Sequence, residues 1–227
     1  MDLSVFTNFD FEVIWRYLPA LLKGLWTNCL LTALGFLCGG IALGTILAFG
    51  NMARLRIIRW PAFLFVEFWR STPLLVQAVW MHFAFPVLTG YSTTPFQSGL
   101  LALIFNVAAY CSEIIRAGIM GVPRGQYEAA RALGLSAPVT WWKVVRPQAI
   151  RLIVPPLTGT VISIFKATAI LSILAINDLM RAAARISSYT IHPVEIYTTA
   201  AILALLTGLV ITWVGSRAEV YYRRQER

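Results

Sequence analysis

The chain has 227 residues, of which 58% are hydrophobic and only 13% are charged. Soluble domains carry about 25% charged residues, so this composition excludes an ordinary water-exposed surface. The net charge of +9 is spread over separate segments, which indicates the topological bias of a membrane protein and not a nucleic-acid-binding face. We therefore expect an all-α polytopic membrane bundle that contacts lipid and no nucleic acid.

The N-terminal segment, residues 1–24, precedes the first long apolar run. It carries Asp2 and Asp10, and a secretory leader needs a basic start, so we expect no cleaved leader. We interpret this segment as external.

Five apolar runs predict five core transmembrane helices, since about 20 apolar residues suffice to cross a bilayer. They cover residues 25–49, 71–88, 98–120, 152–176 and 195–214. Residues 60–69 are apolar too, but Glu67 and Arg70 interrupt them and Pro73 follows. We therefore expect an interfacial or tilted lead-in there, with a break at the proline.

Small residues recur in the first span. Gly35 and Gly39, and likewise Gly40 and Gly44, are spaced four apart. Such patterns let a second helix approach closely, so they predict a packing contact and no chemistry.

The third span carries Glu113 and Arg116, three residues apart near its end. This spacing allows the two side chains to neutralise one another on a helix. Two interpretations stay open: an ion pair that positions the helix above the next loop, or direct contact with a substrate.

A polar segment, residues 121–151, lies between the third and fourth spans. Pro123 precedes a run of strong helix formers, and Gly134 is suited to a left-handed helix end. Ser136 and Pro138 can begin a second helix. The pattern predicts a helical hairpin with small residues that another protein can approach closely; the alternative is an ordinary loop with a few helical turns.

The fourth span carries Lys166, about 21 Å along the helix from Leu152 and thus near the middle of the membrane. Gly159, Ser163 and Lys166 fall on one helical face. Buried charge in a bilayer is costly unless it is paired or faces water. The stripe predicts either a translocation path whose cation meets a carboxylate, or a structural lysine bonded to a carbonyl.

After the fourth span, Asp178 is suited to cap a short external helix and to pair with Arg181. A role at a gate is the second interpretation. His82 and His192 are far apart and lack a ligand cluster, so no metal site is expected.

The arginines predict the orientation. They concentrate after the first span, in the polar segment and in the C-terminal tail, at Arg54, Arg56, Arg59, Arg124, Arg131, Arg146, Arg151, Arg217, Arg223, Arg224 and Arg227. These three regions are expected in the cytoplasm, and the N-terminus outside. We expect one transmembrane domain, residues 25–217, followed by a cytoplasmic basic tail, residues 218–227.

No catalytic motif is present. The chain has three lysines, and none follows the glycine pattern of a phosphate-binding loop. There is no paired-carboxylate cluster and no nucleophile elbow. We therefore expect no enzyme activity from this chain.

The polar segment also carries a specific spacing. Glu128-Ala129-Ala130 is followed after three residues by Gly134, and nine residues later by Val144-Val145-Arg146-Pro147. This resembles the EAA signature, EAA-x3-G-x9-I-x-L-P, of the membrane subunits of bacterial ATP-binding-cassette importers. Val144 and Arg146 stand where that signature usually has isoleucine and leucine.

Further stretches resemble the permease subunits of polar amino acid importers over nearly the whole chain. Residues 68–77, FWRSTPLLVQ, are similar to the family's FRGTPLLVQ; residues 109–118, AYCSEIIRAG, are similar to AYxSEIxRGG; Gly125-Gln126 and Pro147-Gln148-Ala149 match its GQ and PQA elements; and residues 165–170, FKATAI, are similar to LKDTSL, with Ala167 and Ala169 in place of Asp and Ser.

The resemblance implies a type I importer permease in a bacterial inner membrane that works by alternating access. Its implied partners are a second permease, identical or related, two cytoplasmic ATPases that hold ATP and Mg²⁺, and an extracytoplasmic amino-acid-binding protein; the chain itself would bind no cofactor. The residues expected to dock the ATPase are Gly125, Gln126, Glu128, Ala129, Ala130, Gly134 and Pro147.

The substrate path is expected near Lys166 and Ser163, with Glu113 as a further candidate. A central ammonium favours a ligand with a free carboxylate, so a zwitterionic or acidic amino acid is the expected substrate. The alternative function is a channel or secondary carrier for a small polar solute, which would need no docking segment and no ATPase.

Overall fold

The computed structural model describes residues 10–223, and every regular element in that range is helical. The helices are α1 (Phe11–Asn51), α2 (Arg56–Ser71), α3 (Leu74–Thr89), α4 (Pro95–Met120), α5 (Arg124–Ala132), α6 (Ala137–Leu174), α7 (Leu179–Thr190) and α8 (Pro193–Arg223). The all-α prediction is confirmed. Residues 1–9 of the predicted external segment, and Arg224 and Arg227 of the predicted tail, lie outside the described residues.

Four of these helices, α1, α4, α6 and α8, are long and apolar enough to cross a membrane. Helices α2 and α3 form a fifth candidate together, although they are bent by 106° at the residues between Ser71 and Leu74. This agrees with the predicted five core spans and with the predicted break at Pro73. The helix after the break begins at Leu74, slightly later than the predicted start at residue 71.

Helix α1 begins much earlier than the predicted start at residue 25. The carboxylate of Asp10 accepts hydrogen bonds from the backbone N–H groups of Glu12 and Val13 and so caps the helix at Phe11. The early turns contain charged residues, which lower their hydropathy without preventing helix formation. At 41 residues α1 is about 60 Å long, roughly twice the thickness of the hydrocarbon core.

The glycine patterns of α1 mark a helix contact, as predicted. A Cβ atom at Gly39 would lie 2.5 Å from the carbonyl oxygen of Ile104 on α4, so the backbones touch at this point. Around this contact α4 contributes buried residues such as Leu103 and Val107 to the main core, which also includes Trp69 of α2. Helix α4 is therefore the central element of the bundle.

Helix α6 is continuous from Ala137 to Leu174, so the prediction of a separate hairpin helix followed by a span from residue 152 is wrong. A π-helical turn at Trp141–Val145 lets Arg146 donate its backbone N–H to the Trp141 carbonyl, five residues back. The wider turn accommodates Pro147, which has no N–H of its own. Ser136 precedes the helix as expected, but its side chain makes no capping hydrogen bond. Pro155 and Pro156 lie further along the same helix.

Helix α7 is capped as predicted, since the Asp178 side chain accepts from the backbone N–H of Arg181 at 2.9 Å. The contact with Arg181 is thus made through its backbone. Asp178 is 0% exposed, and its Oδ2 has no hydrogen-bond partner among the described residues. Burial raises the pKa of the Asp178 carboxyl above its ordinary value. A Cβ atom at Gly24 would lie 2.7 Å from the Asp178 carbonyl oxygen, which shows how tightly α1 packs at this cap.

Candidate functional site

Helix α5 forms a short rod at the end of the bundle, after the end of α4. It ends in a Schellman motif: the N–H of Leu135 donates to the Ala130 carbonyl at 3.0 Å, and the N–H of Gly134 to the Arg131 carbonyl at 2.9 Å. Gly134 has φ +68°, the left-handed conformation expected from the sequence. A β-branched residue would be strained there.

One side of α5 is seated on the bundle. Ala130 is 2% exposed, and Tyr127 packs against a cluster that includes Ile119 of α4 and Val145 and Ala149 of α6. Gln126 is tied to α6 as well, because the Gln148 amide donates to its side-chain oxygen at 3.1 Å. These contacts hold α5 against the first turns of α6.

The other side of α5 is open to solvent. Its exposed residues include Arg124, Gly125, Gln126, Glu128, Ala129, Arg131, Leu133 and Gly134, and Pro147 is exposed on the neighbouring part of α6. Leu133 is 76% exposed at the tip. The structure thus brings most of the predicted docking residues to one surface of mixed small, charged and apolar character. It places Ala130 inside, where it supports that surface without belonging to it.

The break between α2 and α3 is held by a buried amide network. The Gln77 side-chain amide donates to the carbonyls of Trp69 at 2.8 Å and Thr72 at 3.0 Å. Asn106 of α4 donates to the Gln77 side-chain oxygen at 3.0 Å and to the Trp69 carbonyl at 3.3 Å. A broken helix leaves carbonyls without backbone partners, and within a membrane these must be satisfied by protein groups. Gln77 and Asn106 fulfil that need.

A polar cavity of about 510 Å³ opens beside this network, between α4 and α6. Its polar lining residues are Arg70, Asn106, Tyr110, Glu113, Thr160 and Ser163. The Arg70 guanidinium lies 5.9 Å from the centre of the Tyr110 ring and 3.5 Å from Glu67. Its Nε is buried without a hydrogen-bond partner among the described residues, so this cation retains an unused donor.

Arg70, Asn106 and Tyr110 were not selected as site residues from the sequence. Arg70 was assigned to a lead-in segment, and Asn106 and Tyr110 carry no charge that would single them out. A cation three residues before a helix-breaking proline, Pro73, with Gln77 shortly after it, is the signal that points to them. Polar residues on both sides of a break predict a buried network that satisfies its carbonyls.

The predicted pair of Glu113 and Arg116 is present. The guanidinium donates to both carboxylate oxygens, with distances of 2.7 Å from Nη2 to Oε2 and 3.1 Å from Nε to Oε1. Such bidentate geometry fixes both side chains. Since Glu113 also borders the polar cavity, the two interpretations of this residue are compatible.

The predicted stripe on α6 is divided between two hollows. Gly159 and Ser163 line the polar cavity, and the Ser163 hydroxyl donates to the Gly159 carbonyl at 3.1 Å. Lys166 instead lines an apolar groove of about 650 Å³ between α6, α7 and α8, together with residues such as Tyr197 and Leu205. The structure therefore brings Ser163 and Glu113 to one cavity and leaves Lys166 outside it.

Each of the two histidines has a polar side chain within hydrogen-bonding distance. His82 lies 3.1 Å from the Ser98 hydroxyl, and His192 lies 3.3 Å from Glu195. Among residues 10–223 no group of three or more His, Cys, Asp or Glu side chains is placed to hold a metal ion.

Comparison with known proteins agrees with this geometry. Residues 40–219 match the family described as binding-protein-dependent transport system inner membrane component. The chain is 37% identical over 208 residues to the L-cystine transport system permease protein TcyB of Bacillus subtilis, covering 89% of this chain and 88% of the relative. It is 31% identical over 212 residues to the arginine permease ArtQ of the same organism, covering 93% and 96% of the two chains.

A solved structure described as an amino acid ABC transporter with histidines is similar, with a TM-score of 0.87 and 34% identity over 93% of this chain and 98% of the other. A structure of the MetNI methionine ABC transporter shares the fold, with a TM-score of 0.72 and 20% identity over 94% and 99% of the two chains. With the exposed helix α5 at one end of a bundle of membrane helices, and a family match over most of its length, the chain belongs to the inner membrane permease components of binding-protein-dependent transport systems.

Proposed function

We propose that this chain is the permease subunit of an ATP-driven importer for a polar amino acid, and that it couples ATP hydrolysis on partner subunits to alternating access. The observation that carries the proposal is the continuity of α6. This one helix is bonded to α5 through Gln148 and lines the polar cavity at Ser163. A displacement of α5 therefore reaches the cavity through a single element of secondary structure.

The exposed surface of α5 is proposed to dock an ATPase. Gly125 and Ala129 keep its side chains small, so another backbone can approach, and Glu128 offers a charge that fixes orientation. Gln126, Ala130 and Gly134 hold α5 in place through the contacts described above. Pro147 borders this surface on α6.

The polar cavity is proposed as this chain's share of the translocation path, with Ser163 and Glu113 in its wall. The cation of Arg70 and the carboxylate of Glu113, both in the wall of this cavity, suit the carboxylate and ammonium groups of an α-amino acid. Lys166 is retained as a second candidate at the path, with a smaller contribution, because it faces the neighbouring groove.

We propose a zwitterionic or acidic amino acid as substrate. The cavity and the related cystine permease support a zwitterion. The arginine permease among the relatives is named for a cationic substrate, so uptake of an acidic, a zwitterionic and a cationic amino acid is the test of this choice.

The proposed partners are a second permease, identical or related, two cytoplasmic ATPases that hold ATP and Mg²⁺, and an extracytoplasmic binding protein. The proposed location is a bacterial inner membrane with the N-terminus, within an external segment of residues 1–24, outside and the basic tail, residues 218–227, in the cytoplasm. The transmembrane domain between them covers residues 25–217, with its docking segment at residues 121–151. A channel or secondary carrier would not need the exposed surface of α5.

The orientation is tested by cysteine labelling of intact cells. A variant without Cys29, Cys38 and Cys111 would carry Arg224→Cys, and an impermeant reagent should leave that position unlabelled. Strong labelling from outside would contradict the proposed topology.

The function is tested with the reconstituted complex of permease, ATPase and loaded binding protein. Glu128→Lys should lower stimulated ATP hydrolysis and uptake together, by about tenfold or more, because it reverses the charge that Glu128 presents at the proposed docking interface. Gly134→Val should act in the same direction through strain of at least about 1 kcal/mol at the left-handed position.

The amount of permease in the membrane should remain near that of the unmodified protein in both variants. Arg56→Glu is the matched control, since it reverses an exposed charge on α2, away from α5. Normal stimulation in Glu128→Lys and Gly134→Val would show that α5 is not the coupling element and would remove the main support for the importer.

A further inference from the structure

A second groove runs along α6 on the side that faces α1 and α4. It has a volume of about 540 Å³, and its walls are almost entirely apolar, with Ile41 and Phe49 of α1, Ile119 of α4, and Ile153, Val154 and Leu157 of α6. It is separate from the polar cavity and from the groove that holds Lys166.

Arg146 closes one end of this groove. Its guanidinium lies 4.5 Å from the centre of the Trp142 ring, and both side chains are exposed. Arg146 also borders a small polar cleft of about 230 Å³, next to Pro147 and Tyr222. Among the described residues that line these two hollows, Arg146 is the only charged one.

The dimensions match one leaflet of a bilayer. Arg146 and Leu157 are eleven residues apart on α6, which corresponds to about 16 Å of helix. Half of a hydrocarbon core of about 30 Å is about 15 Å. A cation stacked on a tryptophan is typical of the membrane interface, where aromatic rings lie at the level of the lipid headgroups.

The position of Arg146 is also unusual for the signature that the polar segment resembles. That signature usually has leucine where this chain has Arg146. A leucine there would extend the apolar groove, whereas the arginine adds a positive charge at its mouth. This positive charge favours an anionic occupant of the groove over a neutral one.

We propose that this groove binds an anionic phospholipid from the leaflet on the α5 side of the bundle. One acyl chain lies along the groove from Ile150 to Leu157, and the phosphate of the headgroup pairs with Arg146. Such a phosphate accepts hydrogen bonds from the guanidinium, which makes the contact stronger than attraction to a neutral lipid.

The bound lipid also bears on the proposed docking surface. Ile119, Ala149 and Ile153 line the groove and belong to the cluster against which Tyr127 of α5 packs. A filled groove supports that cluster from the membrane side. Coupled ATP hydrolysis should therefore depend on anionic lipid.

The experiment uses the purified permease–ATPase complex, equilibrated with a mixture of about three parts phosphatidylcholine to one part phosphatidylglycerol. Native mass spectrometry measures the phosphatidylglycerol retained per permease. Arg146→Gln should lower retention about fivefold, the effect of removing one basic contact to an anionic lipid surface. Val154→Phe fills the groove and should lower retention with Arg146 intact.

Arg217→Gln is the matched control, because Arg217 also stacks on a tryptophan, Trp213, at 5.0 Å but lies outside the groove. It should retain phosphatidylglycerol normally. Inorganic phosphate added at millimolar concentration should not replace the lipid in restoring coupled ATPase activity to complexes in pure phosphatidylcholine vesicles, whereas phosphatidylglycerol should.

Several results would overturn the proposal. Equal loss of lipid in Arg146→Gln and Arg217→Gln would indicate attraction to the whole basic face. Unchanged retention in Val154→Phe, together with dissociation of the permease pair, would assign the groove to a second copy of the permease. Restoration of activity by inorganic phosphate alone would assign Arg146 to a soluble anion.

Discussion

Helix α6 lines two hollows, the polar cavity at Ser163 and the apolar groove at Lys166, and the first holds more polar side chains than the second. The polar cavity lies between α6 and α4, which contributes Asn106, and it meets the broken segment between α2 and α3, which contributes Arg70. Asn106 joins the cavity to the Gln77 network. The groove on the other side faces the continuous helix α8, whose residues there are mostly apolar. Helical spacing places residues on a face, whereas the neighbouring helix decides what that face is for.

The largest effect is expected from the network behind the polar cavity. Gln77→Leu would leave the Thr72 carbonyl and the Asn106 amide without their Gln77 partner, and the Trp69 carbonyl with only the longer bond from Asn106, at a cost of about 1–3 kcal/mol for each buried group left unpaired. The apparent Tm of the detergent-purified complex and its uptake activity should both fall. Val76→Leu, at the exposed neighbouring position, should behave as wild type. Unchanged stability in Gln77→Leu would mean that the break needs no such support.

Next in size is the loss of the cavity's cation. Arg70→Met should lower uptake by at least about tenfold, since a hydrogen bond from a charged group to the substrate contributes about 1.5–3 kcal/mol. Binding of the ATPase should be unaffected, which co-purification would check. Uptake near the wild-type rate would separate the polar cavity from the path.

Lys166→Met should reduce uptake less, by about threefold, because this side chain faces the apolar groove and contacts substrate at most from its edge. The measurement is initial uptake of an acidic, a zwitterionic and a cationic amino acid. A loss as large as that of Arg70→Met would make the groove the main path. No change for any substrate would remove Lys166 from it.

Asp178→Asn is expected to have the smallest effect. Because burial raises the pKa of this carboxyl, the stability that its protonated form provides is lost as pH rises from the ordinary carboxyl value through the raised one. The asparagine stays neutral, so the variant should exceed wild type in Tm by about 3 °C or less at neutral pH. The two curves should converge near about pH 4. A lower Tm for the variant at pH 7 would show that the charged form is the stable one.

Much of the fold follows from the sequence by simple physics. Apolar runs predicted the spans, Pro73 predicted the break, and the glycine spacing of α1 predicted a close helix contact, which α4 provides at Gly39. The Glu113–Arg116 pair and the left-handed Gly134 are local features, determined by residues three or four positions apart. Local features of this kind are accessible without a structure.

Three features of the fold were not predicted, because hydropathy and residue spacing do not contain them. Hydropathy placed the start of α1 too late, because a capped helix continues through charged turns that a membrane would exclude. It also divided α6, since nothing in the spacing showed that a π-helical turn would absorb Pro147. The separation of Ser163 from Lys166 came from the packing of α8, which no pattern within α6 contains.

The two adjacent prolines of α6 weaken the backbone hydrogen bonding in the middle of this helix. Neither Pro155 nor Pro156 can donate a backbone hydrogen bond to the carbonyl four residues before it, and the hydroxyls of Thr158 and Thr160 add bonds to the prolines' own carbonyls. This compliant joint lies between Gln148 at the α5 end and Ser163 in the cavity, which are about 22 Å apart along the helix. A joint at this place lets the two parts of the helix change their angle, so the direction in which movement at α5 reaches the cavity depends on these prolines and should change when one of them is replaced with alanine.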